Sequence, residues 1–85
     1  MDEHPDDRDI LERIDELTKR ERELDARSVE DDGLSAEDEV LLRELGIERD
    51  QQWDLLRQRR ARRDAALDPA GATLRDPGTV EGYEQ

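Results

Sequence analysis

The sequence predicts an all-α fold: a two-helix antiparallel hairpin, coiled-coil-like, with an irregular C-terminal tail. Three observations carry this. Ile10, Ile14, Leu17 and Leu24 recur at spacings of 4, 3 and 7, the a/d period of a packing seam, with Glu21 at the position the series skips. Leu41, Leu42, Leu45, Leu55 and Leu56 mark a second helical stretch. Between them lies Ser28–Leu34, whose Asp31-Asp32-Gly33 is a turn signal. No stretch alternates with the period of a strand.

Helix 1 is expected over about residues 6–27, since Asp6, Asp7 and Asp9 suit the positive end of a helix. The turn occupies 28–35. Ser35 is the expected N-cap of helix 2, with Asp38 three residues on as a shorter stand-in for a capping-box Glu. Helix 2 should run over about 36–65, through Gly46 at a cost of about 1 kcal/mol relative to Ala. Leu67-Asp68-Pro69 ends it. Residues 1–66 thus form the hairpin, and 67–85 a flexible or extended tail without helical or strand period. So short a turn makes the helices antiparallel neighbours. Leu24 then lies opposite Leu41 and Leu42, Leu17 opposite Leu45, and Ile10 opposite Trp53–Leu56. Arg57–Arg63 fall beside Asp2, Glu3, Asp6 and Asp7.

Composition narrows the function. The 85 residues include 26 acids and 14 bases, for a net charge of −12. The excess acid is confined to residues 1–50; residues 51–85 are balanced. There is no Cys, hence no disulfide and no thiol nucleophile. No apolar run is long enough to span a membrane. The start, MDEHPDD, lacks the basic and apolar regions of a signal peptide, so a cytoplasmic protein is expected. The single His4 among carboxylates is a poor metal site. Paired carboxylates abound, but nothing apolar surrounds them to raise a pKa. We therefore expect no catalysis, no cofactor, no metal and no small-molecule substrate. Ser28–Glu39 has the length of a calcium-binding loop, with Gly33 and Glu39 at the required places, but Ser28 stands where an Asp is needed.

Two features remain. The apolar residues of helix 2, from Leu55 through Leu41, Leu45 and Leu56 to Trp53, spread over an arc of about 160°, wider than a two-helix seam uses. The surplus points to a homo-oligomer or a protein partner. Trp53 is either packed in such a seam or an exposed anchor. The second feature is a cation run, Arg57, Arg59, Arg60, Arg62 and Arg63. It could meet the acidic N-terminus, or neutralise phosphates in a nucleic-acid or ribosome-associated factor. Against the latter, no aromatics interleave it and the net charge repels a polyanion.

The stretch Asp50–Arg63, read as DQQWDLLRQRRARR, and the ending VEGYEQ of residues 80–85 resemble a small actinobacterial family, domain of unknown function 2630. The similarity spans essentially the full chain. In that family an apolar residue is usual at the place of Arg49 and Cys at that of Gln52, so this sequence departs at both. The resemblance implies a cytoplasmic actinobacterial protein and supplies no activity. It makes the Trp53–Arg63 face and Tyr83 first candidates for a partner surface, beside Leu41, Leu45, Leu55 and Leu56.

Overall fold

The computed structural model describes residues 6–30 and 33–80, and the backbone of 81–82. Two long helices, α1 (Asp7–Glu30) and α2 (Ala36–Asp64), pack antiparallel. A 3-10 turn (Pro69–Gly71), an irregular stretch and a short helix α3 (Pro77–Gly82) follow. There is no strand among the described residues.

Both long helices begin on side-chain caps. Asp6 accepts the Asp9 N–H at 2.9 Å, and Asp9 accepts the Asp6 N–H at 3.3 Å, a reciprocal box built from two aspartates. Ser35 accepts the Asp38 N–H at 3.1 Å, as its place before helix 2 suggests. The Asp38 carboxylate does not complete that box; it lies 3.8 Å from Arg27 across the hairpin. Helix α1 continues three residues beyond the expected 27, to Glu30. At φ +120°, Gly33 donates its N–H to the Ser28 carbonyl at 2.8 Å and closes the helix end. Ser28–Glu30 and Ala36–Glu39 are helical, so the stretch compared above with a calcium loop is not a loop at those positions.

The seam is the expected one. Ile10, Ile14, Leu17 and Leu24 are all buried. Leu17 and Leu24 meet Leu45, with Leu34 and Leu42 against them. Ile10 and Ile14 meet Leu55 and Leu56. Ion pairs stitch the rims: Arg27 with Asp38, Arg13 with Glu48 at 2.8 Å, Glu21 with Arg49, and Asp7 with Arg59 at 2.6 Å. The skipped seam position, Glu21, is thereby satisfied by Arg49.

The C-terminal stretch departs from the unpatterned tail of the sequence reading. Residues 72–76 have no regular structure, but the stretch as a whole lies along α2 and carries two capped turns. Asp68 accepts the Ala70 N–H at 3.0 Å, and Asp76 accepts the Thr79 N–H at 3.0 Å. In each case Pro follows the capping Asp, where its missing N–H costs nothing. Ala72 joins the cluster of Ile10, Ile14, Leu55 and Leu56, and Val80 is buried.

Helix α2 ends on Ala66 at φ +59°, where glycine is usual. The Leu67 N–H donates to the Arg62 carbonyl at 2.7 Å, which fixes that conformation. Left-handed backbone costs a residue with a Cβ about 1–2 kcal/mol. Ala66→Gly should therefore raise stability by about 1 kcal/mol after the entropy of the added glycine, or about 4–8 °C in Tm for a chain of this size. Gly33→Ala should lower it. Thermal unfolding followed by circular dichroism checks both.

Candidate functional site

Helix α2 is the element around which everything else is placed, and its faces divide by spacing. The face toward α1 carries Leu45, Leu56 and, on its edge, Leu55. These three were candidates for a partner surface; they are buried instead. Helix α2 meets two neighbours, with α1 on one side and the C-terminal stretch on the other, while Leu41 and Trp53 of the apolar arc stay exposed.

That second flank is polar. Gln51, Asp54, Gln58 and Arg62 step by 3, 4 and 4 along α2, one face of a helix. Each holds the C-terminal stretch. The Gln51 amide donates to the Arg75 carbonyl at 3.1 Å. Gln58 donates to the Thr73 carbonyl at 2.6 Å and accepts the Thr73 N–H at 3.3 Å, pairing with that backbone as a neighbouring strand would. Arg62 donates to the Asp68 carbonyl at 2.6 Å. Asp54, 2% exposed, accepts from Gln58 at 2.9 Å and pairs with Arg75 at 3.1 Å. Its carboxylate thus enters an unsolvated place with a cation and an amide donor already aimed at it.

The arginine run is sorted by the same helical period. Arg59 and Arg63 turn toward α1 and share Asp7, at 2.6 and 2.7 Å. Hydrogen bonds from Arg63 and then Arg59 hold the Asp7 carboxyl below its ordinary range, and the Arg63 guanidinium is correspondingly raised. Arg62 belongs to the C-terminal stretch. Arg57 and Arg60 are exposed and make no ion pair among the described residues.

Trp53 lies on the same outward side, 41% exposed. Leu55 and Leu56 are the buried residues of α2 that meet Ile10. Leu41 is 44% exposed at the rim of the α1–α2 seam, in a shallow groove of about 300 Å³ with Arg20, Glu23, Leu24, Arg27 and Leu45. Tyr83 lies outside the described residues. The polar stripe of Gln51, Asp54 and Gln58 was missed from the sequence, as were the Asp68-Pro69 and Asp76-Pro77 caps. The caps carried a usable signal in Asp followed by Pro.

Arg75→Ala removes a cation from a carboxylate that water barely reaches, a change costing about 3–5 kcal/mol for a fully buried pair. Here the loss is capped by the docking free energy of the segment, because Asp54 is rehydrated once the segment lifts away. The Thr73 and Val80 amides should then exchange with solvent far faster while those of the α1–α2 seam keep their protection. Hydrogen exchange measured by NMR gives the comparison.

Acid should act at Asp7. Its folded pKa lies below the unfolded value near 3.8, so its contribution is present above that value and is lost as pH falls through the folded one. With a third of the side chain exposed, this amounts to under about 1 kcal/mol. Asp7→Asn should flatten the stability profile below about pH 4 and leave its pH dependence near neutrality unchanged, as acid titration of Tm would show.

A family model described as protein of unknown function matches residues 6–85. An uncharacterized protein of Mycobacterium bovis and the uncharacterized proteins of two Mycobacterium tuberculosis strains are each 44% identical over 79 residues, covering 93% of this chain and 91% of the relative. No solved structure matches. With its matched span running from the Asp6 cap through the docked C-terminal stretch, the chain belongs to the DUF2630 family.

Proposed function

We propose that this is a non-enzymatic, acidic helical protein of the cytoplasm that acts by protein–protein contact, through self-association or a protein partner, on the outward face of α2. The observation that supports this is Trp53. It is the one aromatic of the long helices, and it stands exposed on a helix braced from two flanks. Rigid, exposed aromatics dominate the binding energy of interfaces. Arg57 and Arg60 beside it supply charge for orientation. The carboxylates that lie in contact, Asp7, Glu21, Glu48 and Asp54, each hold a guanidinium. That is a structural use and speaks against acid–base chemistry at those groups. No helix among the described residues is long and apolar enough to cross a membrane.

A nucleic-acid or ribosome-associated role would rest on the same arginines. It is the less supported reading, since Arg59, Arg62 and Arg63 are committed within the chain. Capture from cell lysate separates the two. The parent should retain proteins in the presence of nuclease, and Trp53→Ala should lose them. Release by nuclease, with equal loss in Arg57→Gln/Arg60→Gln, would transfer the function to the phosphate-binding reading.

A further inference from the structure

Trp53 is one member of a line. Positions 39, 43, 46, 50, 53 and 57 step by 4, 3, 4, 3 and 4 along α2, the spacing of a seam that meets another helix. They hold Glu39, Arg43, Gly46, Asp50, Trp53 and Arg57. On the flanks facing α1 and the C-terminal stretch, charges are paired within the chain. On this line Glu39, Arg43 and Arg57 are exposed and make no ion pair among the described residues. Gly46 adds a second observation. Ala in mid-helix would be about 1 kcal/mol better, and the chain leaves room for it: a Cβ would meet only Glu21 Oε1 at 3.5 Å and Arg49 Nη2 at 3.9 Å, ordinary contacts. Nothing within the chain requires this glycine.

We propose that the line is a self-recognition surface, on which α2 of a second copy packs antiparallel about a two-fold axis near residue 48. This rests on the reading of the outward face of α2 as an interaction surface, and names its partner. Charge selects the arrangement. A parallel pair would set Arg57 against Arg57 and Glu39 against Glu39. An antiparallel pair with Trp53 facing Asp50 would set Arg43 against Arg60 and Glu39 against Asp64. Shifting that pair by one heptad removes both conflicts. Trp53 then faces Arg43 of the second copy, Arg57 faces Glu39, and Gly46 faces Asp50, each contact occurring twice by symmetry. Trp53 enters the hole bordered by Glu39, Leu42, Arg43 and Gly46 of the second copy. Leu42, at the edge of the α1 seam, offers an apolar border, Gly46 removes a side chain from the rim beside the Glu21–Arg49 pair, and Arg43 brings a guanidinium to the face of the ring. The net charge of −12 on each copy opposes approach. At physiological salt, however, charges beyond about 8 Å are screened, so contacts within the seam decide.

Sedimentation equilibrium of the full chain between about 10 μM and 1 mM tests this, in the weak range expected of a small seam. The parent should move from monomer to dimer. Trp53→Ala should weaken dimerisation about 100-fold, since an anchor is lost on both copies. Arg57→Glu and Glu39→Lys should each weaken it about tenfold, and the double variant should return to within about threefold of the parent, because opposite charges face each other again. Circular dichroism matching the parent separates loss of the dimer from loss of the fold. A chain monomeric at 1 mM, a dimer indifferent to Trp53→Ala, or a double variant without rescue overturns the proposal. If the chain is monomeric yet Trp53→Ala still releases proteins captured from lysate, the second copy is excluded as the partner while the broader interaction reading stands.

Discussion

The Asp54 carboxylate, held by Gln58 and Arg75, is the point on which the third layer of this protein depends. A chain with so few apolar residues cannot dock its last segment by hydrophobic burial alone. Ala72 and Val80 are the buried apolar residues that the segment contributes. Polar side chains of α2 do the rest, and they do it by meeting backbone groups that would otherwise lose water without replacement. A buried carboxylate is tolerated because both its partners arrive with the segment or lie one turn away. The result is a helix that serves as a shared wall, apolar toward α1 and hydrogen-bonding toward the C-terminus.

This explains which parts of the fold were legible in the sequence. Ile10, Ile14, Leu17 and Leu24 declare themselves because a packing seam needs apolar residues at a fixed period. Ser35 and the reversal at Gly33 are equally local signals. The docked segment left no such mark. Gln51, Asp54 and Gln58 have the composition of a solvated face, and hydropathy does not distinguish an amide that meets water from one that meets the Thr73 backbone. Asp68-Pro69 looked only like the end of helix 2, and Asp76-Pro77 like part of an unpatterned tail. An Asp before a Pro also starts helical turns, and here it starts two.

The interaction surface was legible in part and for a related reason. Sequence alone treated five arginines as one cluster and five apolar residues as one arc. The period of the helix separates the arginines and sets Trp53 apart from the inward leucines, whereas Leu41 shares the face of Leu45 and is exposed beside it. Leu45, Leu55 and Leu56 go inward while Leu41 and Trp53 stay out. Arg59 and Arg63 go to Asp7, Arg62 to the Asp68 carbonyl, and Arg57 and Arg60 to solvent. A run of like residues on a helix is therefore several small groups with different neighbours. How many neighbours the helix has cannot be known until the polar flank is recognised as a contact.

The polar character of the C-terminal contact has a consequence for how the molecule comes apart. The steepness of a urea transition follows the surface newly exposed on unfolding, and the heat-capacity change follows chiefly its apolar part. A segment held by amides, carbonyls and one ion pair, with Ala72 and Val80 as its buried apolar residues, adds more to the first than to the second. Were the segment to lift off before the α1–α2 seam opens, the heat-capacity change of the remaining step would fall less than its urea slope, and probes that follow individual amides would separate the two events.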